Sequence, residues 1–369
     1  MKIYYIVKEI NKIPSCQYNI LMLKALGYDV IPVFGRTTNE IKFILEKSHI
    51  YPVVLNNSVG RSYKFILKFR KFVVKYLNNN YCKEDMIFIG TVDTAVCLAG
   101  ILKKYRTVLC VKELYDHDTY FYKKILFKVT REATTVVACE INRARYMKSE
   151  WKLSQMPFVL SNRPFYQELP RKSFGSTKET KEIIEQVEGK KAIIYQANHI
   201  HYAKELINLA KALRQINDNY VLVLIGNVDN DEDIKRIKSI YNQVLCTGYI
   251  KSPLHMEITS NGYIGITVYQ ENSLNNLFCA PNKIYEYACY GIPTLANDVP
   301  GLINTVALAQ SGVCVNWNSV ENLINAINKI SDNYDFYQDK AIEFYCNSDN
   351  LGRIKEIVEY TKNVKEKRK

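Results

Sequence analysis

The 369-residue chain contains no run approaching the roughly 20 uninterrupted apolar residues that a membrane-spanning helix needs. Its opening residues, MKIYYIVKEI, lack a long apolar core and a small-residue cleavage site. Nothing there reads as an export signal, and a cytoplasmic protein is expected. Ten cysteines are present but none forms a CxxC pair, and there are only five histidines. Closely spaced zinc ligands are therefore missing, and the cysteines read as reduced, buried small hydrophobes. No GxGxxG follows either of two candidate first strands, which lead into VKEINKIPS and YQANHIHYAK. That absence disfavours a nicotinamide cofactor. Short-period repeats and low-complexity tracts are also absent. Acid is in short supply, with 37 Asp and Glu against 50 Lys and Arg, a net charge of +13. Such an excess calls for an anionic partner: nucleic acid, an anionic membrane surface or a phosphate-bearing substrate.

What is present is a twice-repeated alternation of apolar strand and amphipathic helix. KIYYIV (2–7), DVIPVF (29–34), MIFIG (86–90), TVLCV (107–111) and TTVVAC (134–139) read as buried strands in the first half. KAIIYQ (191–196), YVLVLIG (220–226), GYIGITVY (262–269), IPTLAN (292–297) and GVCV (312–315) do so in the second. Helical segments lie between them, such as Tyr18–Leu26, Lys204–Leu213 and Asp233–Tyr241. Strand–helix alternation predicts α/β architecture with doubly wound parallel sheets, here two Rossmann-like domains. A segment rich in Pro, Ser, Gly and charge suggests a linker over 166–188, after a first domain over 1–165. A second domain over 189–340 and a helical tail over 341–369 complete the expected division. Ligands of such sheets lie outside the carboxyl ends of the strands, so a cleft faced by the two domains is the expected site.

The stretch APNKIYEYACYGIPTLANDVPG (280–301) places a short helix just before a buried strand. Asn282 is the expected N-cap, beside Pro281, and Gly291 the expected stop. Lys283 and Glu286 are three apart and share a face. An ordinary surface helix with an internal ion pair would look the same in isolation. At the ligand edge of a sheet, however, the helix start plus Lys283 suits a diphosphate, and Glu286 suits two neighbouring ribose hydroxyls.

Residues 190–315 resemble the donor-binding domain of GT-B glycosyltransferases, in particular the retaining family 4, or group 1, type. The resemblance rests on KAIIYQANHIHYAKELINLAKAL, YVLVLIGNVDN, VLCTGYIKSPLHMEI, NNLFCAPNKIYEYACYGIPTLANDVPGL and SGVCVNW. The first half is more loosely similar to the acceptor domain, best over 134–164. The resemblance implies two Rossmann-like domains facing a cleft and sugar transfer from a nucleotide sugar, UDP- or GDP-linked, with no further cofactor and no metal. It implies a glycan acceptor, possibly polyprenyl-linked, in surface polysaccharide assembly. Of the family's two glutamates, the ribose-binding one matches Glu286 and the sugar-contacting one falls on Phe278. The family's Arg after the first strand of this domain falls on Asn198 or His199, and its Lys on Lys204. Gly248 and Tyr249 fall where backbone meets the base. In the first half, LCVKELYDH matches a His–acid pair with Glu113 as the acid, Lys112 in place of the His, and His117 further on. Lys283, Glu286 and Glu113 are thus the candidates for chemistry, and a sugar-nucleotide epimerase or a silent GT-B scaffold is the near alternative.

Two further features remain. VDNDED (228–233) contains a DxD pattern, but acids at a helix start suit the dipole without any metal. Residues 61–83 hold seven Lys or Arg and no acid, with Lys64, Lys68, Lys71 and Lys75 in one helical stripe beside Phe65, Phe69, Phe72 and Tyr76. This reads either as a domain helix with its aromatics inward or as a peripheral face for anionic lipid at the inner side of a membrane. Single-stranded nucleic acid would suit such a pattern too, but no recognised nucleic-acid motif accompanies it and no nucleic-acid partner is expected.

Overall fold

A computed structural model describes residues 1–11, 13–55, 63–115, 120–165, 170–201, 203–216 and 219–364. The chain divides into two units, Met1–Tyr166 with Asp349–Lys369, and Gln167–Ser348. The first is built on seven strands: β1 (Lys2–Glu9), β2 (Asp29–Arg36), β3 (Val53–Val54), β4 (Met86–Ile89), β5 (Thr107–Val111), β6 (Thr135–Ala138) and β7 (Phe158–Val159). They pair in parallel in the order β3-β2-β1-β4-β5-β6-β7. Every residue of β4 and β5 is buried, as expected of strands covered on both faces.

The second unit repeats the winding with β8 (Lys191–Ile200), β9 (Tyr220–Val228), β10 (Val244–Gly248), β11 (Ile264–Thr267), β12 (Thr294–Asn297) and β13 (Gly312–Val315). Their order is β10-β9-β8-β11-β12-β13. Both sheets therefore reverse direction once, beside their first strand, which is where a doubly wound sheet opens a crevice. The two-domain doubly wound expectation holds. β3, β7 and β10 went unread because two of them are two residues long and VLCTG is only half-buried along its length.

The reversal in the second sheet is the feature that matters for a site. β8 and β11 pair only through Ile193–Ile264 and Ile194–Gly265. Beyond that point β8 continues with β9 alone, through a register shift between Gln196 and His199. The ribbon passes so close to itself that a Cβ on Gly226, at φ +149°, would lie 2.2 Å from the Ala197 carbonyl. The helix Lys283–Ala288 seats its buried Tyr287 ring on Gly265, where a Cβ would come within 2.2 Å of that ring. The Tyr287 hydroxyl lies 3.2 Å from the Ile194 carbonyl and 3.1 Å from that of Ile266, sharing its proton between the two strands that part there.

Both boundaries differ from the sequence reading. Residues 341–369 are not one tail. The helix Tyr334–Asn347 lies in the second unit, whereas Asn350–Asn363 returns to the first and buries Ile354, Ile357 and Val358 in its core. Those three form an apolar stripe at i, i+3 and i+4, which needs a partner surface. The supposed linker over 166–188 holds a helix, Lys178–Val187, started by a Thr177–Thr180 capping box and tied to the second unit by buried Ile183 and Val187. Among the described residues no helix is long and apolar enough to cross a membrane.

The Tyr287–Gly265 contact yields a stability prediction. Gly265→Ala forces an aromatic ring off its seat and is expected to cost about 1–3 kcal/mol, as overpacking typically does. A denaturation midpoint equal to that of the parent protein would show that the helix is not seated there.

Candidate functional site

Seating Tyr287 brings the preceding residue, Glu286, to the parting of β8 and β11. The residue is 8% exposed, and a carboxylate so buried needs donors. Gln196 Nε2, from the parting strand itself, donates to Glu286 Oε2. The Gln196 amide is oriented by Thr259, whose hydroxyl donates to Gln196 Oε1 at 2.7 Å. His255 Nε2 lies 3.7 Å from the same carboxylate oxygen. Thr259 and His255 share one short helix, His255–Thr259, so a single element presents both.

Lys283 stands one turn before Glu286. Its ammonium lies 5.0 Å from the centre of the Tyr195 ring, within cation–π range. No carboxylate among the described residues comes within ion-pair distance of it. Burial disfavours its charge and lowers its pKa from 10.5 to about 8, against the opposing pull of Glu286 and Cys279. The site thus holds a carboxylate supplied with donors and a cation short of a counter-ion.

Asn282 does not cap the helix with its side chain. Its backbone is already helical (φ −65°, ψ −36°), whereas a side-chain cap needs extended dihedrals at that position. Its carbonyl instead accepts from the amides of Tyr285 and Glu286 at 3.0 and 3.2 Å. Pro281 is buried behind it.

The other proposed donor contacts spread along the carboxyl edge of the same sheet. Asn198 is exposed, and its carbonyl accepts from Asn227 Nδ2 at 3.0 Å. His199 Nδ1 sits 2.6 Å from one oxygen of Asp229 and His201 Nδ1 3.1 Å from the other, with the two rings stacked. Lys204 is exposed in the first turn of the helix Ala203–Ile216. Gly248, at φ +73°, ends β10, and Tyr249 beyond it is 52% exposed. Phe278 is half-buried at the end of the helix Leu274–Leu277. Of the acids in VDNDED, Asp229 is taken up by the two histidines, while Asp231, Glu232 and Asp233 form the first turn of Asp231–Ile240. Among the described residues no three His, Cys, Asp or Glu side chains are placed to hold a metal ion.

In the first unit, Glu113 follows β5 and its side chain is 60% exposed, 3.8 Å from the guanidinium of Arg143. Arg143 is buried, donates to the Lys112 carbonyl and lies 3.5 Å from the Cys139 thiol. Lys112 Nζ donates to Asn162 at 3.3 Å. His117 lies outside the described residues. The basic helix, Tyr63–Asn80, resolves its own ambiguity in part. Phe65 and Phe69 are buried, stacked on each other and pressed against β2, and Phe72 and Tyr76 are half-buried. Lys64, Lys68, Lys71 and Lys75 are all exposed. Phe65 and Phe69 therefore belong to the core, while Phe72 and Tyr76 lie partly at the surface.

Gln196, Thr259 and His255 are the residues that sequence reasoning missed. Gln196 had a faint signal, as the polar end of the apolar strand KAIIYQ. His255 and Thr259 had none, since only the fold brings their helix against Glu286.

Residues 177–343 match the family Glycosyl transferases group 1. No curated protein sequence matches the chain. Among solved structures, a glycosyltransferase from Rickettsia africae superposes with a TM-score of 0.71 at 16% identity, covering 97% of each chain. Anabaena Alr3699/HepE in complex with UDP and glucose gives 0.69 at 15% identity, covering 97% of this chain and 98% of that one. A UDP-N-acetylglucosamine 2-epimerase described from Listeria monocytogenes gives 0.61 at 12%, covering 97% and 96%. At such identities the likeness establishes the fold, which is GT-B. The group 1 match lies within the second unit and spans the helix Lys178–Val187 that the sequence assigned to a linker.

The desolvated Lys283 ammonium makes stability depend on pH in a defined sense. With the folded pKa below the unfolded one, folding opposes the charge at neutral pH, and this penalty fades as pH rises from about 8 toward 10.5. Lys283→Met is therefore expected to be the more stable protein near pH 7, with the gap to the parent narrowing by about pH 9.5. Denaturation midpoints of the two proteins at both pH values measure this; a gap that stays constant would contradict the burial of the charge.

Proposed function

We propose that this protein is a nucleotide-sugar-dependent glycosyltransferase whose second unit binds the donor at the parting of β8 and β11. The observation that carries the reading is the pairing of a buried, donor-supplied carboxylate with a half-buried, desolvated cation that has no carboxylate within ion-pair distance among the described residues, both on one short helix at the carboxyl edge of the sheet. The group 1 match over residues 177–343 supports the donor class. Glu286 would accept hydrogen bonds from two adjacent ribose hydroxyls, a geometry that a carboxylate fixed by Gln196 is ready to offer. Lys283 would take the diphosphate as its missing counter-ion.

Breaking the bond between the anomeric carbon and the diphosphate leaves negative charge on the leaving group and cationic character on the sugar. A cation already desolvated at the leaving oxygen stabilises that charge without reorganising water. Binding the dianion also relieves the penalty on Lys283, so nucleotide affinity and leaving-group stabilisation draw on the same desolvated ammonium. Exposed Lys204 adds positive charge along the same edge. For the acceptor we propose a glycan, with Glu113 of the first unit as its contact.

A calorimetric screen of UDP-, GDP- and ADP-sugars against the whole chain tests this reading. One of them is expected to bind, to be consumed in the presence of an acceptor glycan, and to lose at least tenfold in affinity in Glu286→Ala. Conversion of the sugar to its epimer without transfer would move the assignment to the epimerase alternative, and full affinity in Glu286→Ala would remove the site.

A further inference from the structure

The short helix His255–Thr259 has a second set of contacts, on the side away from Glu286. Its central residue, Glu257, is 6% exposed. Oε2 accepts from the Ser176 amide at 2.8 Å and from the Thr180 hydroxyl at 2.7 Å, and Oε1 accepts from the Ser176 hydroxyl at 2.6 Å. Burial pushes this carboxyl up, but the hydrogen bonds from Ser176 and Thr180 outweigh it and hold the pKa below the ordinary value. The residues just after the helix extend the seam. The Ser260 carbonyl accepts from the Lys172 amide at 3.1 Å and from Arg171 Nη1 at 3.2 Å, and its hydroxyl accepts from the Ser173 amide at 3.0 Å. Asn261 Nδ2 donates to the Ser173 carbonyl at 3.0 Å. The stretch 171–180, which opens the second unit, is thereby stitched to one five-residue helix.

That helix is too short to hold its own shape, since isolated helices below about 12 residues are marginal in water. Its position depends on what it is tied to. On one side it is tied through Glu257 to the opening stretch; on the other it presents His255 to Glu286 and Thr259 to the Gln196 amide that holds Glu286. We infer that Glu257 is a positioning residue of the donor site: it fixes His255 and Thr259, through the helix they share, so that the Glu286 carboxylate is held in the orientation that receives the ribose. The inference rests on the donor-site reading above and adds a residue that touches neither nucleotide nor sugar. It also makes the opening stretch of the second unit part of the binding apparatus, since loosening Ser176 and Thr180 loosens the support of Glu286.

The test uses the full chain and whichever of UDP, GDP or ADP binds the parent protein most tightly. Dissociation constants are measured by calorimetry well below the melting temperature of each variant, so that every sample is folded. Glu257→Ala is expected to weaken binding about tenfold and Glu257→Gln by less, because the amide oxygen can still accept from Ser176 or Thr180. In Glu257→Ala combined with His255→Ala the losses are expected to be less than additive, because both changes disturb the support of Glu286. A merely structural Glu257 would lower the melting temperature and leave the dissociation constant within twofold of the parent, with additive losses, and that result overturns the inference. Should Glu257→Ala not fold, Thr180→Val removes one of the three hydrogen bonds, with about threefold weaker binding expected and unchanged binding contradicting. Glu286→Ala run alongside separates the two levels. If it binds normally the donor-site reading falls, and if it alone is impaired only the role of Glu257 falls.

Discussion

A carboxylate buried where two parallel strands part cannot remain there without donors, and much of the second unit is arranged around that requirement at Glu286. Gln196 supplies one donor because β8 leaves β11 after Ile194, and two residues on its amide turns toward the gap. Thr259 decides which end of the amide faces the carboxylate. Leaving a buried carboxylate without partners costs several kcal/mol. The register of the strands, the short helix 255–259 and the helix 283–288 are therefore constrained together. The same constraint explains why Lys283 has no close counter-ion among the described residues: the nearby carboxylate is already engaged, and the ammonium settles over Tyr195.

The geometry depends equally on an absence. Gly265 has no side chain, so the Tyr287 ring can lie on β11 and its hydroxyl can reach the Ile194 and Ile266 carbonyls. Those carbonyls belong to strands that are ceasing to pair, and buried carbonyls in that position need a donor. One tyrosine thus closes the sheet at its point of reversal and sets the depth at which the next residue along the helix, Glu286, is presented. Packing and function meet in two adjacent residues with opposite tasks, one apolar and inward, the other charged and at the edge.

Much of this was legible in the sequence. Buried β-branched runs gave ten of the strands because their period and boundaries are local properties, and NKIYEY announced itself through Lys and Glu three apart beside a proline. What was not legible is what depends on distant partners. Asn282 stands at the expected cap position, but its helical backbone leaves its side chain without a capping bond. Residues 350–363 looked like a tail because an apolar stripe does not say which core it will join, and it joined the first unit. The aromatic stripe of 61–83 could face lipid or protein by pattern alone; Phe65 and Phe69 face protein. His255 and Glu257 carried no local signal, since each acts through a residue far away in the chain.

The central claim is that the first turns of the helix 283–288 clasp the pentose and phosphates of an activated sugar. A crystal structure of the full chain grown with the nucleoside diphosphate that binds it tests this most directly. Ribose hydroxyls are expected within hydrogen-bond distance of Glu286, with a phosphate oxygen on Lys283 Nζ. Nucleotide bound elsewhere, with Glu286 still engaged by Gln196 and His255, would contradict the claim.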